Sequence, residues 1–444
     1  MRSNLRGKYR SGKMTRKVGF VCMIILLLLG GFGCRRLQLQ LKPPIEEMED
    51  NRGNEDPFQK MIGIEKTPNE ENSENEVVEQ KKEDDAVVRK FEDGLPDEVV
   101  MALEYKKYPM HHHYVLVLAE GANIREKPSA DARSLKKATW HERINVLAEV
   151  EGEHLKEYGS NGWCHVFWEE EGDTQHGYIF SQLVQVRSFQ WDKMYQAIEQ
   201  LRQAAKTKDI KHISNYKNAN GVPPLYHGQK KDKYGTVADQ VAPAYVEPNK
   251  DAEFRYIEDG TIVYVSEKQE MFYKINSHSF EGKYWVHQKY VSDYPTINEI
   301  KKVVVVDRKN QNQAVFEWKD GKWHLISYTL ATTGQKAQFK METPLGYFMA
   351  IQTVDRFLYL DDITEEIKGY APYAIRYNGG SYIHGVPVAF IEDGEEQIDP
   401  GEEEYLFSIG TVSLSHRCVR NYTSHAKFLY DWIDIGSSAV IVIE

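Results

Sequence analysis

Cysteine is scarce in this chain: four occur in 444 residues, at positions 22, 34, 164 and 418. Cys22 and Cys34 fall near the amino terminus, so the body can form at most one pair, which excludes a disulfide scaffold. Excess positive charge is lacking too. Lys and Arg number 56 against 67 Asp and Glu, a net charge of −11, which argues against a nucleic-acid partner because such partners call for a basic face. Long apolar runs are nearly absent. The one that stands out, Val18 to Gly33, has sixteen residues, short of the about twenty that cross a bilayer as a helix. Aromatic residues, by contrast, make up 12%, with 27 Tyr, enough to build cores, so the chain is not disordered throughout. Its length points to about three domains.

Residues 1–17 hold seven Lys or Arg and no acid, and the short apolar run follows directly. A basic flank before a short apolar core is the pattern of an export signal, with the flank staying cytoplasmic. The small residues before Cys34 resemble a bacterial lipoprotein signal, in which that cysteine becomes the lipidated first residue; an uncleaved anchor is the alternative. Either outcome for 1–34 predicts a membrane-tethered chain on the extracytoplasmic side of the cell envelope. Residues 35–112 are rich in Glu, Asp, Asn and Lys, as in EEMEDNRGNEDP, and read as a disordered acidic linker. The triplet His111-His112-His113 invites a metal, but adjacent residues do not share a face and no partner spacing follows, so no metal is expected.

Residues 113–188 alternate short strand-like runs with turn signals and resemble a bacterial SH3-like module, through Ala122-Asn123-Ile124-Arg125, Pro128 and Gly177-Tyr178-Ile179. Cys164 lies between Trp163 and His165 in one such run; alternation sends Cys164 and His165 to opposite faces, so Cys164 reads as core. Within 189–237, residues 191–206 place Met194, Ile198, Leu201 and Ala205 on one helical face, expected to pack on a β module, and a Gly/Pro-rich connection follows. Residues 238–295 echo the first module. APAYVEPNKDAEF parallels ANIREKPSADARS, TIVYVSE parallels INVLAEV, and KYWVHQKYV parallels HGYIFSQLV, which suggests a second SH3-like module.

From residue 300 to 444 the sequence turns strongly β. VVVVDRK precedes QAVFEW and WHLISYTLATTG, which bracket Asp320-Gly321 as a hairpin. Three ordered motifs follow: Thr343-Pro344-x-Gly346-x-Phe348, Ile383-His384-Gly385, and Ser415-His416-x-Cys418-Val419-Arg420-Asn421. They resemble the YkuD-type L,D-transpeptidase catalytic domain, a cysteine enzyme of peptidoglycan cross-linking. The fold class expected is therefore mainly β: a YkuD-type β-rich catalytic domain preceded by two SH3-like β-barrel modules and a disordered tether.

A cysteine nucleophile acts as thiolate and needs an oriented base. Arg417, Arg420 and a protonated histidine would favour the thiolate of Cys418. His384 and His416 compete as the base; on a strand, His416 would share the face of Cys418. The resemblance assigns the base, a proton donor and acceptor, to His384 of the His-Gly motif, leaving His416 to site shape or substrate contact. Gly385, Ser415, Arg417 and Asn421 are expected to shape the site, and Arg420 to grip a carboxylate of a peptidoglycan stem peptide. No cofactor or metal is implied. Two departures from the family pattern stand out. Arg417 takes the place of a glycine, which would strain the loop if that glycine needs a positive φ. His384 and Cys418 are also 34 positions apart, with an acidic insertion at 391–405 that reads as a surface loop.

Overall fold

The computed structural model describes residues 86–444, apart from 93, 298, 339, 362, 365 and 395. The export signal, Cys34 and the acidic stretch to residue 85 lie outside the described residues. The described chain is mainly β, as the sequence implies.

Nine strands precede the first long helix. They are β1 (Val87–Lys90), β2 (Val99–Met101), β3 (His113–Val117), β4 (Gly121–Arg125), β5 (Ser134–Thr139), β6 (Arg143–Leu155), β7 (Ser160–Glu170), β8 (Asp173–Phe180) and β9 (Val184–Ser188). All but β2 form one sheet in the order β5-β4-β8-β7-β6-β3-β9, with β1 on β6. Helix α1 (Trp191–Thr207) follows. Then come β10 (Asp209–Ile213), β11 (Val241–Tyr245), β12 (Phe254–Glu258), β13 (Ile262–Gln269), β14 (Phe272–Asn276), β15 (Tyr284–His287) and β16 (Val291–Ile297). Their order, β12-β11-β15-β14-β13-β10-β16, repeats that of the first sheet strand for strand. Each echoing sequence pair falls on equivalent strands, and a single 3-10 turn precedes the last strand of both, Ser181–Leu183 and Gln288–Tyr290.

Three expectations need correction here. Residues 86–112 are not linker. Phe91 and Val99 are buried in this acidic stretch, and β2 pairs parallel with a strand of the carboxy-terminal sheet, Val99 opposite Trp323. A few well-spaced apolar residues suffice to dock a segment whose composition is otherwise that of a solvated chain. The second sheet does not begin at 238, because its opening strand is β10, inside the stretch read as helix and linker. The connection from β10 to β11 is long, which separates the first strand from its repeat partner in sequence. Finally, α1 does not pack on a β module alone. Met194, Ile198 and Leu201 are fully buried in one core that joins Ile210, Ile262 and Tyr264 of the second sheet to Val303, Val305, Phe316, Trp323 and Ile441 of the carboxy-terminal one.

That core lines one face of the carboxy-terminal sheet. Its strands are β17 (Lys302–Asp307), β18 (Asn312–Lys319), β19 (Lys322–Leu330), β20 (Gly346–Met349) and β28 (Ser438–Ile443), in the order β2-β19-β18-β17-β28-β20. Between β20 and β28 run β21 (Gln352–Leu360), β22 (Ile367–Asn378), β23 (Ser381–His384), β24 (Val388–Ala389), β25 (Ile391–Asp393), β26 (Glu396–Ile398), β27 (Val419–Arg420) and α2 (Thr423–Trp432). The four valines at 303–306 are all buried because the sheet is covered twice. Val303 and Val305 face α1, while Val304 and Val306 face a second core with Ile383, Val419 and Leu429. A strand buried on both faces reads as a continuous apolar run rather than an alternating one. Asp320 and Gly321 both have positive φ, 52° and 79°, the two-residue turn that suits a twisted hairpin. The insertion at 391–405 carries the small exposed hairpin β25–β26.

Candidate active site

The second carboxy-terminal sheet, β21-β22-β23-β27, brings the motifs together. Strands β23 and β27 run parallel, Ile383 opposite Val419 and His384 opposite Arg420. Ile383 and Val419 point into the core between the two sheets. Alternation therefore turns Tyr382, His384 and Cys418 to the other face. There Tyr382 and Cys418 pack with Ala374, and Phe357 stacks on the Tyr382 ring at 4.2 Å and lies 6.4 Å from the His384 ring. Cys418 is buried, 9% exposed.

His384 is buried, and its Nδ1 donates to the Gly385 carbonyl at 2.7 Å. That bond fixes the tautomer and leaves Nε2 with a lone pair. Burial pushes the imidazole down to about 4, Arg420 adds to the effect, and the Gly385 carbonyl opposes it. Burial likewise pushes the Cys418 thiol up, against the Tyr382 backbone N–H, Arg420 and Arg417, which act to lower it. Its Sγ donates to the Gly380 carbonyl at 3.8 Å. At neutral pH burial thus favours a thiol at Cys418 and a neutral imidazole at His384, not the thiolate and protonated histidine that the nearby charges suggest. Desolvation outweighs the two guanidiniums.

The loop that carries Cys418 is pinned from below. The Ser415 hydroxyl donates to the Cys418 carbonyl, and the Thr343 hydroxyl donates to the Arg417 carbonyl at 2.9 Å while accepting from Gly334 N at 2.8 Å. Gly334 is itself required. A Cβ there would stand 2.4 Å from the Met341 carbonyl oxygen and 2.7 Å from Arg417 Cα. Gly385 has a similar reason, since a Cβ would press on Thr423 and Pro372 at 2.9–3.1 Å. Asn421 lies beneath the site, fully buried, where its Oδ1 accepts from Gln313 Nε2 (2.6 Å) and His425 Nδ1 (2.7 Å). His416 is exposed on the loop, which here is not a strand, so strand alternation does not bring it beside Cys418. The Arg420 guanidinium, on the Cys418 side, makes no ion pair or hydrogen bond among the described residues.

Arg417 does not strain its loop: it is absent from the residues with positive φ. Instead its Nη2 forms an ion pair at 2.6 Å with Glu258, at the end of β12 in the second module. The same module supplies Asp259, which pairs with the buried Arg376 at 2.7 Å, and Tyr216, whose hydroxyl is 3.3 Å from that of Tyr382. Sequence reasoning missed Glu258, Asp259 and Tyr216 as parts of the site wall. Their partners lie well over a hundred positions away, and no local pattern marks such a pair. Cys164, by contrast, is fully buried in the first module, and burial pushes its thiol up to about 12. Among the described residues no group of three or more His, Cys, Asp or Glu is placed to hold a metal ion.

Residues 301–442 match the model of the YkuD family, the L,D-transpeptidase catalytic domain, and this segment carries that domain. Among solved structures, an L,D-transpeptidase from Mycobacterium smegmatis is 18% identical, over 46% of this chain and 99% of that one, with a TM-score of 0.26. An L,D-transpeptidase from Enterococcus faecium is 14% identical, over 62% of this chain and 86% of that one, with a TM-score of 0.25. A fused Zn-dependent amidase/peptidase/peptidoglycan-binding domain-containing protein from Clostridium acetobutylicum is 22% identical over 32% of this chain, with a TM-score of 0.22. The chain spans about half (52%) of that protein. No curated protein matches the chain.

Proposed function

We propose that this protein is a membrane-tethered, extracytoplasmic L,D-transpeptidase that cross-links peptidoglycan stem peptides, or attaches proteins to them, through a thioester on Cys418. The observation that carries this reading is Cys418 and His384 on one sheet face, with the histidine's Nε2 left open by the Nδ1 bond to Gly385. Cys418 attacks the carbonyl that joins an L-centre to a D-centre in the donor stem, as His384 Nε2 takes the thiol proton. His384 then gives that proton to the departing amine, which leaves an acyl thioester. The acceptor amine resolves the thioester, with His384 again as base. Because both partners start neutral, the proton moves during the attack, and no pre-formed thiolate is needed. In this reading backbone N–H groups at or beside Cys418 hold the oxyanion, a role worth about 3–4 kcal/mol per donor in other enzymes. The unpaired Arg420 guanidinium next to the sulfur suits a stem carboxylate. In this reading the two repeated β modules are SH3-like, and the second one walls the site.

The test incubates the full-length protein with a tetrapeptide-bearing muropeptide, with and without an acceptor amine, beside Cys418→Ala. Mass spectrometry should show loss of the terminal D-residue and a new amide cross-link, both absent from the variant. Loss without a cross-link would mean hydrolysis, and no Cys418-dependent product would overturn the enzymatic reading.

A further inference from the structure

Beside the Cys418 loop, the second module and the segment after Thr343 enclose a cavity of about 200 Å³. It is lined by Arg255, Thr236 and Thr261 and by Phe280, Pro344 and Leu345. Arg255 is half-buried and wrapped in rings, its guanidinium carbon 4.1 Å from the Tyr234 centroid, 5.1 Å from Phe280 and 5.7 Å from Tyr284. The guanidinium gives a hydrogen bond to the Tyr284 hydroxyl, but among the described residues no carboxylate pairs with it, and its Nε, shielded from solvent, has no hydrogen-bond partner. Nearby carboxylates are already engaged. Glu258, which lines the same cavity, accepts from Arg417 and Asn378. Asp232 accepts from the backbone N–H groups of Tyr234, Thr236 and Tyr256. Arg376 and Arg417, the other arginines of this module contact, each hold an acid. A partly desolvated guanidinium without an anion is costly, and a planar carboxylate is the partner its fork fits.

The cavity is also tied to the nucleophile. Glu258, which lines it, forms the ion pair with Arg417, and Thr343, next to the lining residue Pro344, donates its hydroxyl to the Arg417 carbonyl. We propose that this cavity binds the free carboxylate of a peptide ending in a small apolar residue, with Arg255 as the anion-binding group and Phe280 and Leu345 against the side chain. The proposal rests on the transfer reading only in taking that peptide to be the enzyme's own substrate or product.

Calorimetry on full-length Cys418→Ala protein tests it without turnover. The probe is N-acetyl-alanyl-D-alanine, compared with the same dipeptide as its carboxy-terminal amide. The acid should bind at least tenfold more tightly than the amide. Arg255→Gln should abolish that preference, and Arg255→Lys should keep part of it, with melting temperatures checked for each variant. Equal binding of acid and amide would overturn the proposal, as would a preference that survives Arg255→Gln but disappears in Arg420→Gln. The amide comparison needs no variant at Arg255 and so does not depend on how that variant folds. A wild-type chain that binds the acid through Arg255 yet forms no Cys418-dependent product would overturn the transfer reading alone. A chain that turns over but shows no preference for the acid would overturn the cavity alone.

Discussion

Cys418 and His384 differ from an ion-paired cysteine and histidine in one decisive respect: burial acts on both, in opposite directions. It raises the thiol and lowers the imidazole to about 4, so that each favours its neutral form at pH 7. Counting Arg417 and Arg420 along the sequence gives the opposite expectation, because charges are visible in a sequence and desolvation is not. The consequence is kinetic. Between pH 6 and 8 the pH stays below the thiol's pKa and above that of His384. His384 therefore holds one charge state while the thiolate fraction grows about tenfold per pH unit. Alkylation of Cys418 by iodoacetamide, followed by peptide mass spectrometry, should rise by that factor across the range. A rate that levels off below pH 7 would reveal a resting thiolate–imidazolium pair and sink this account. Cys164, pushed up to about 12 and fully buried, should label far more slowly throughout.

At the scale of elements, the Cys418 loop is held by contacts with the segments before and after Gly334, and the fit leaves no room for a side chain. The groups a Cβ would meet at Gly334 are the Met341 carbonyl and Arg417 Cα, both backbone, so neither can swing aside. Gly334→Ala should cost about 2–4 kcal/mol, since overpacking of this kind moves main chain. Thermal denaturation should show a drop of several degrees. Gly94→Ala, where a Cβ meets nothing within 4 Å, is the control that should melt as wild type. An unchanged melting temperature for Gly334→Ala would show that the loop is not wedged there. How much of this was legible follows the range of the signal. The Asp320-Gly321 hairpin, the 303–306 strand and the motif residues announce themselves within a few positions. Strand β10 is only five residues, ahead of a long connection, and so was hidden in what read as linker. The Glu258–Arg417 pair joins residues 159 positions apart and leaves no trace in either neighbourhood. An amphipathic helix reveals that it has an apolar face but not every surface that covers it, which is why the sequence points α1 to a β module and not also to the carboxy-terminal sheet.

On the scale of the whole molecule, residues 300–444 share their core and their buried ion pairs with the residues before them. One face of its main sheet is covered by the second sheet, and the other depends on α1, which lies outside residues 300–444. Met194, Ile198 and Leu201 are fully buried there, and Glu199 accepts from the Trp323 indole at 3.1 Å. Burying three such side chains is worth roughly 5–9 kcal/mol, as large as the net stability of many domains, about 5–15 kcal/mol. Removing the preceding residues would also take Asp259 from Arg376, whose side chain is only 8% exposed, and strip β2 from the sheet edge. A buried guanidinium that loses its acid costs several kcal/mol more. A fragment of residues 300–444 should therefore fail to fold cooperatively. It should show little near-ultraviolet circular dichroism, bind a hydrophobic dye through Val303, Phe316, Trp323 and Ile441, and leave Cys418 without its slow, pH-dependent alkylation. The full-length protein should melt with its near-ultraviolet signal intact up to the transition. A fragment that melts cooperatively within a few degrees of the full chain would mean that α1 and the second module are accessories. The Glu258 and Asp259 contacts would then be incidental to the site rather than part of its construction.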